Sequence, residues 1–244
     1  RRFRLIQFAF YPRKAFANLV PQLQYKTRMF LRKRAGQYFI QIVEYAGSLI
    51  QPRNTCGDIP MKVYFHLNIE GFSNAYLIVN PAVKEALIID PGKITTKMID
   101  QIEQNKYALT AVFITHNHKS HTRGLTTLQK IYTPKIYAAD YEVAKAETSV
   151  LRGDGIIKAA GLNVSYMSVP GHTADSMVYK IGQCLFTGDV LFGQAGPTNS
   201  SYAKKTLVAN IASKILSQQE NTVILPGHGP PSTVGAERQF NLDM

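Results

Sequence analysis

Cysteine is nearly absent from this chain: Cys56 and Cys184 are the only two among 244 residues. Two thiols cannot form the disulfide framework of a small secreted domain, so a reducing compartment is the default expectation. Cys184 lies in the apolar run Gln183-Cys184-Leu185-Phe186 and reads as a small packed hydrophobe. Long apolar runs are missing too. The best candidate, residues 39–50, is broken by Gln41 and Glu44, short of the roughly 18–20 apolar residues that a membrane-spanning helix needs. No transmembrane span is expected. Internal repeats and low-complexity segments are also lacking, which argues against a repeat architecture or a disordered chain.

Acidic residues are scarce at the start. None precedes Glu44, and residues 1–60 hold 11 Lys/Arg against 2 Asp/Glu, which is +9 of the total +12. Residues 61–244 hold 17 against 14, or +3. The chain therefore divides into a basic extension, 1–60, and a domain, 61–244. An Arg-rich, acid-free start has the composition of an organellar targeting segment, so a mitochondrial location is expected, with the cytoplasm as the alternative. The same charge is expected to dock the extension on an acidic protein surface, anionic lipid or nucleic acid. Within it, Ala15-Phe16, Leu19-Val20, Leu23, Met29-Phe30, Ile40, Val43 and Leu49-Ile50 recur at roughly helical spacing and predict two or three short helices.

What is present after Pro60 is the texture of a folded α/β domain, in a chain 45% hydrophobic and 18% charged. Short apolar runs between turn signals predict strands at 63–68, 75–79, 86–89, 111–114, 135–138, 164–169, 177–181, 184–187 and 223–225. Helices are predicted at 95–104, 125–132, 140–146 and 202–217. Adjacent strands, then strand–helix alternation, then strands again suggest two mixed sheets with helices outside.

Histidine carries the chemistry. There are six, and five stand at strand ends beside glycine or beside one another. His116, His118 and His121 follow the apolar run 111–114. His172 lies in Pro170-Gly171-His172-Thr173, and His228 in Pro226-Gly227-His228-Gly229. Asp189 follows Gly188 in the same way. Imidazole nitrogen is a favoured ligand for zinc and iron, and a carboxylate can bridge two ions. In an extended segment His116 and His118 point to the same side and can reach one metal, while His121 takes another heading. His66, inside a predicted strand, reads as a packed or surface histidine.

Thr115-His116-Asn117-His118-Lys119-Ser120-His121, with the downstream His172, Asp189 and His228, resembles the metallo-β-lactamase superfamily, whose signature is Thr-His-X-His-X-Asp-His. The resemblance runs from about Met61 to Asn241 and includes Gly71-Phe72-Ser73-Asn74-Ala75-Tyr76-Leu77-Ile78 and Ile89-Asp90-Pro91-Gly92. It implies a four-layer αββα sandwich with metals at one end of the sheets. Thr187-Gly188-Asp189-Val190-Leu191-Phe192 and the segment Pro226 through Gly235 are most similar to the glyoxalase II, or hydroxyacylglutathione hydrolase, branch. That branch implies hydrolysis of a small acyl-thioester by a metal-bound hydroxide. It also implies that His116, His118 and His172 hold the first metal, that Asp189 bridges, and that His121 and His228 hold the second, with Asp189 and His121 in the catalytic machinery.

Three features depart from that pattern. Ser120 stands where the family has the acidic second-site ligand, and a neutral hydroxyl is a poorer ligand that cannot act as a base near neutral pH. One tightly bound zinc or iron is therefore expected. Ala195 and Pro197 replace the Cys-Gly-Arg positions that glutathione-binding relatives carry. The chain also ends soon after the last motif, leaving no room for the helical C-terminal domain with which glyoxalase II holds glutathione. A second expectation follows: an accessory subunit of a larger, mitochondrial assembly, with catalysis reduced or lost. A two-metal nuclease is disfavoured by the missing carboxylate.

Overall fold

The computed structural model describes residues 61–243, together with the backbone of two strands, β1 (Phe30–Arg34) and β2 (Gln37–Gln41). These two pair antiparallel, Arg34 opposite Gln37 and Phe30 opposite Gln41. A hairpin thus takes the place of a helix over these positions. Its strand residues include the β-favouring Phe30, Tyr38, Phe39 and Ile40, which outweigh a loose helical spacing. The other helices expected within 1–60 lie outside the described residues.

The domain is built on two six-stranded sheets. The first contains β3 (Lys62–Asn68), β4 (Ser73–Asn80), β5 (Glu85–Ile89), β6 (Ala108–Phe113), β7 (Lys135–Ala138) and β10 (Ser149–Val150), in spatial order β10-β7-β6-β5-β4-β3. The second contains β11 (Gly155–Ala159), β12 (Leu162–Ser168), β13 (Met177–Ile181), β14 (Cys184–Gly188), β15 (Val223–Pro226) and β16 (Ser232–Thr233), in chain order. Between β7 and β10 sits a small hairpin of β8 (Glu142–Val143) and β9 (Ala146–Glu147).

Strand periodicity explains the layers. Tyr76 and Ile78 of β4, Leu87 and Ile89 of β5, and Phe113 of β6 face the second sheet. There they meet Val164, Tyr179, Phe186 and Leu225 in one buried cluster. The alternate residues Ala75, Leu77, Val79, Ala86, Ile88 and Val112 pack outward under Met98 and Ile102 of α1 (Thr96–Gln104). Leu125 and Leu128 of α3 (Leu125–Gln129) cover the same face. On the other side Val178, Leu185 and Ile224 pack under Leu207 of α4 (Ser201–Asn210), Ile211 and Ile215 of the π-type turn that follows it, and Val234 of α5 (Val234–Phe240). Four layers result, helix–sheet–sheet–helix, as the resemblance implied. Cys184 is buried in the central layer, and burial pushes its thiol up to about 12.

One predicted helix, 140–146, is a hairpin instead. Ala144 and Lys145 adopt φ of 50° and 68°, the left-handed pair that closes a two-residue β-turn. Val143 and Ala146 then share one buried cluster, so tertiary burial overrides a sequence without an Asn-Gly signal. No described helix is long and apolar enough to cross a membrane.

Candidate metal centre

Five of the six candidate ligands stand in loops past strand ends, and His121 stands on a short helical turn. β6 ends at Phe113, and Thr115 to His118 turn over its end before α2 (Lys119–Thr122), a single helical turn that carries His121. His172 lies between β12 and β13, Asp189 directly after β14, and His228 directly after β15. The first sheet therefore supplies three histidines, and the second supplies two histidines and the carboxylate.

Two groups of ligand atoms result. His116, His118, His172 and Asp189 form one; His121, Asp189 and His228 form the other; within each, the atoms lie within 4.8 Å of one another. In the first group His116 Nε2 is 2.9 Å from His118 Nδ1, and His172 Nε2 is 3.3 Å from the same atom. Asp189 Oδ2 stands 3.7 Å from His116 Nε2 and 3.8 Å from His172 Nε2. Ligands about 2.0–2.1 Å from a tetrahedral zinc lie roughly 3.3–3.4 Å apart, so these spacings fit a common ion.

The imidazole orientations fit as well, because most rings are held by the nitrogen that faces away. Thr115 spends its hydroxyl proton on Asp90 Oδ2 (2.6 Å), so its oxygen accepts from His116 Nδ1 at 3.1 Å. His172 Nδ1 donates to the Pro197 carbonyl at 2.7 Å, and His121 Nδ1 to Asp90 Oδ2 at 2.9 Å. His228 Nε2 donates to the Gly71 carbonyl at 3.1 Å. This is the outer-shell arrangement that fixes tautomer and direction in metal-binding histidines. His121 Nε2 is fully buried, lies 3.4 Å from Asp189 Oδ2 and makes no hydrogen bond among the described residues. A buried nitrogen left unpaired is costly in a closed protein and ordinary in a metal site.

The electrostatics favour a cation. Burial, and then the charge of His121, push His116 down to about 3. Burial and His172 lower His118. Both are neutral near pH 7, the form that ligates. Burial opposes ionisation of Asp189, but the positive charge of His121 close by and the hydrogen bond from His228 outweigh it and hold the carboxyl below its usual range. Burial also opposes charge on His121, yet Asp90 and Asp189 outweigh it and lift its pKa to about 10. An ion entering the second group therefore competes with a proton.

Ser120 sits on the side of the second group. Its carbonyl accepts from Ser73 Oγ at 2.6 Å, and its Cβ would stand 3.6 Å from a Cβ placed on Gly71, the residue that holds His228. The 193–198 stretch has structural duties: Ala195 N–H donates to Asp243 Oδ2, and the Pro197 carbonyl orients His172. His66 is buried outside the centre, its Nε2 2.9 Å from Gln101 Oε1.

Asp90 is the site residue that reasoning from ligands overlooked. It is buried, accepts from Thr115 N–H at 2.8 Å as well as from the Thr115 hydroxyl and His121, and so aligns both histidine segments. Its signal was available: an aspartate directly after an apolar strand, as with Asp189. Its φ of 53° is one that Asp tolerates better than most residues.

Comparison with known proteins agrees with this geometry. The profile of the Metallo-beta-lactamase superfamily matches residues 68–228, from the tip of β3 to the last ligand. A protein of Treponema pallidum is 32% identical over 174 residues, covering 71% of this chain and 94% of its own. A hydroxyacylglutathione hydrolase of Thiobacillus denitrificans is 35% identical over 127 residues, about half of each chain (51% and 49%), which supports likeness to the glyoxalase II branch. Among solved structures, the B3 metallo-β-lactamase BLEG-1 superposes with a TM-score of 0.66 at 26% identity, covering 75% of this chain and 98% of its own. The fold, the order of the ligands and these matches together place the chain in the metallo-β-lactamase superfamily, to which it belongs.

Proposed function

We propose that this protein is a metal-dependent hydrolase of the hydroxyacylglutathione hydrolase type, cleaving a small acyl-thioester with one firmly held zinc or iron ion. The observation that carries the reading is the first ligand group, three imidazoles, two of them oriented by a bond to the outward nitrogen, and an ionised carboxylate, at spacings that fit one ion. When bound, the ion supplies Lewis acidity, lowering the pKa of a coordinated water from 15.7 towards about 7 and polarising a carbonyl. The chain's own contribution is to keep the ligands neutral, aimed and buried on one side. Ser120 offers no charge to the second group, so that position is weaker. The thioester class follows from the branch, whose matching members from Thiobacillus denitrificans and Chromohalobacter salexigens cover 51% and 66% of this chain.

Metal analysis of the purified protein tests this, with about one zinc or iron per chain as the expected result. Hydrolysis of an hydroxyacyl-glutathione thioester by that protein, abolished by His116→Ala, is the expected activity. Two tightly held ions would overturn the reading of Ser120.

Ser120 and the +9 extension also favour a second reading, an accessory subunit of a mitochondrial complex whose extension docks on a partner. That reading expects no retained ion and no thioesterase activity.

A further inference from the structure

His118 differs from the other four ligand histidines. Each of those has its outward nitrogen held by a protein oxygen, whereas within the described residues the Nε2 of His118 makes no hydrogen bond. It is also the exposed member of its group. Its ring direction must therefore come from its backbone.

That backbone is tied to the opposite ligand loop. Asn117 N–H donates to Asp175 Oδ2 at 2.7 Å, and two residues along, Met177 N–H donates to the Thr115 carbonyl at 2.7 Å. These two rungs clamp residues 115–117 against 175–177. The loop on the far side is itself fixed: Thr173 N–H donates to Ser176 Oγ at 3.1 Å, and the Thr173 and Ser176 hydroxyls lie 2.6 Å apart. Asp175 is three residues past His172, so one carboxylate links the loops of two ligands that must meet at 3.3 Å.

We infer that Asp175 is a positioning residue for the first metal position, holding His118 to the ligand set through the Asn117 backbone. It is no ligand, since it lies outside both ligand groups. Its charge beside His118 also favours a cation there. The inference rests on the metal-binding reading above.

Asp175→Ala is expected to weaken zinc binding about tenfold in chelator competition, the usual scale for loss of an outer-shell partner. The d–d spectrum of the cobalt-loaded variant should shift, because it reports ligand geometry. Asp175→Asn, which keeps an oxygen facing Asn117 N–H, should recover most of the affinity and the native spectrum. Wild-type affinity and spectrum in Asp175→Ala would overturn the inference, as would an Asn variant no better than Ala. Should the Ala variant fail to fold, hydrogen exchange of the Asn117 amide in the native protein decides: slow exchange supports the bond, and exchange at free-loop rates overturns it. A wild-type chain that binds no zinc or cobalt would instead overturn the metal reading and this inference with it.

Discussion

Ser120 lies in the sequence between the candidate ligands His118 and His121, yet its structural work is done by its peptide: the carbonyl accepts from Ser73, and among the described residues its hydroxyl makes no hydrogen bond. A carboxylate placed there by Ser120→Asp should therefore raise the metal content from about one ion towards two after dialysis, and thioesterase activity with it. Unchanged stoichiometry would show that the second group is closed for another reason, such as the proton on His121. At the same scale, His66 has a readable pH signature. Burial outweighs its bond to Gln101, and with Lys97 lowers it from 6.5 to about 4. Between these values the unfolded chain binds the proton and the folded chain does not, so stability is complete above pH 6.5 and falls as pH drops. From pH 7 to 5 this amounts to on the order of 2 kcal/mol. Denaturant titrations at both pH values should show His66→Gln losing less stability than the wild type by about that amount. Equal losses would mean that His66 takes up its proton at the same pH in the folded and unfolded chain.

At the scale of elements, the site depends on how strands end. Gly188 closes β14 at φ 51°, and a Cβ there would stand 2.4 Å from Thr115 Oγ1. Gly188→Ala should therefore cost about 1–3 kcal/mol and displace Asp189 from both ligand groups. Thermal melting and metal content should fall together, and loss of stability with full metal content would separate the turn from the site. Such turns also explain what was legible in the sequence. Strands buried on both faces, as in β4 and β14, appear as unbroken apolar runs, and ligands that follow them appear as His or Asp beside Gly. The 140–148 hairpin was not legible, because its positive-φ turn uses Ala144 and Lys145 where a sequence signal would need Asn or Gly. The outer partners were legible only in part. Asp90 carries the strand-end signal, but the Pro197 and Gly71 carbonyls act through backbone atoms that every residue possesses.

In the whole molecule, the candidate metal centre is a seam between the two sheets, with three histidines contributed from one and two histidines and a carboxylate from the other. Any ion that binds only the folded chain adds RT ln(1 + [L]/Kd), about 2.7 kcal/mol at a hundredfold excess over Kd. Chelation should therefore lower the melting temperature, and zinc should restore it. At the start of the described domain the Met61 side chain packs near Gly182, whereas the far end of β3 at Asn68 borders the site, about 20 Å along the strand. The basic extension lies outside residues 68–228, the span that the family profile matches, so deleting residues 1–57 should leave metal content and melting temperature at the full-length values. If the extension serves docking, the same deletion should abolish co-purification with the partner or binding to anionic vesicles. A truncated chain that melts early would instead make the extension part of the domain's fold. One that folds, keeps its metal and still associates would place the docking surface on residues 61–244, where the charge is only +3.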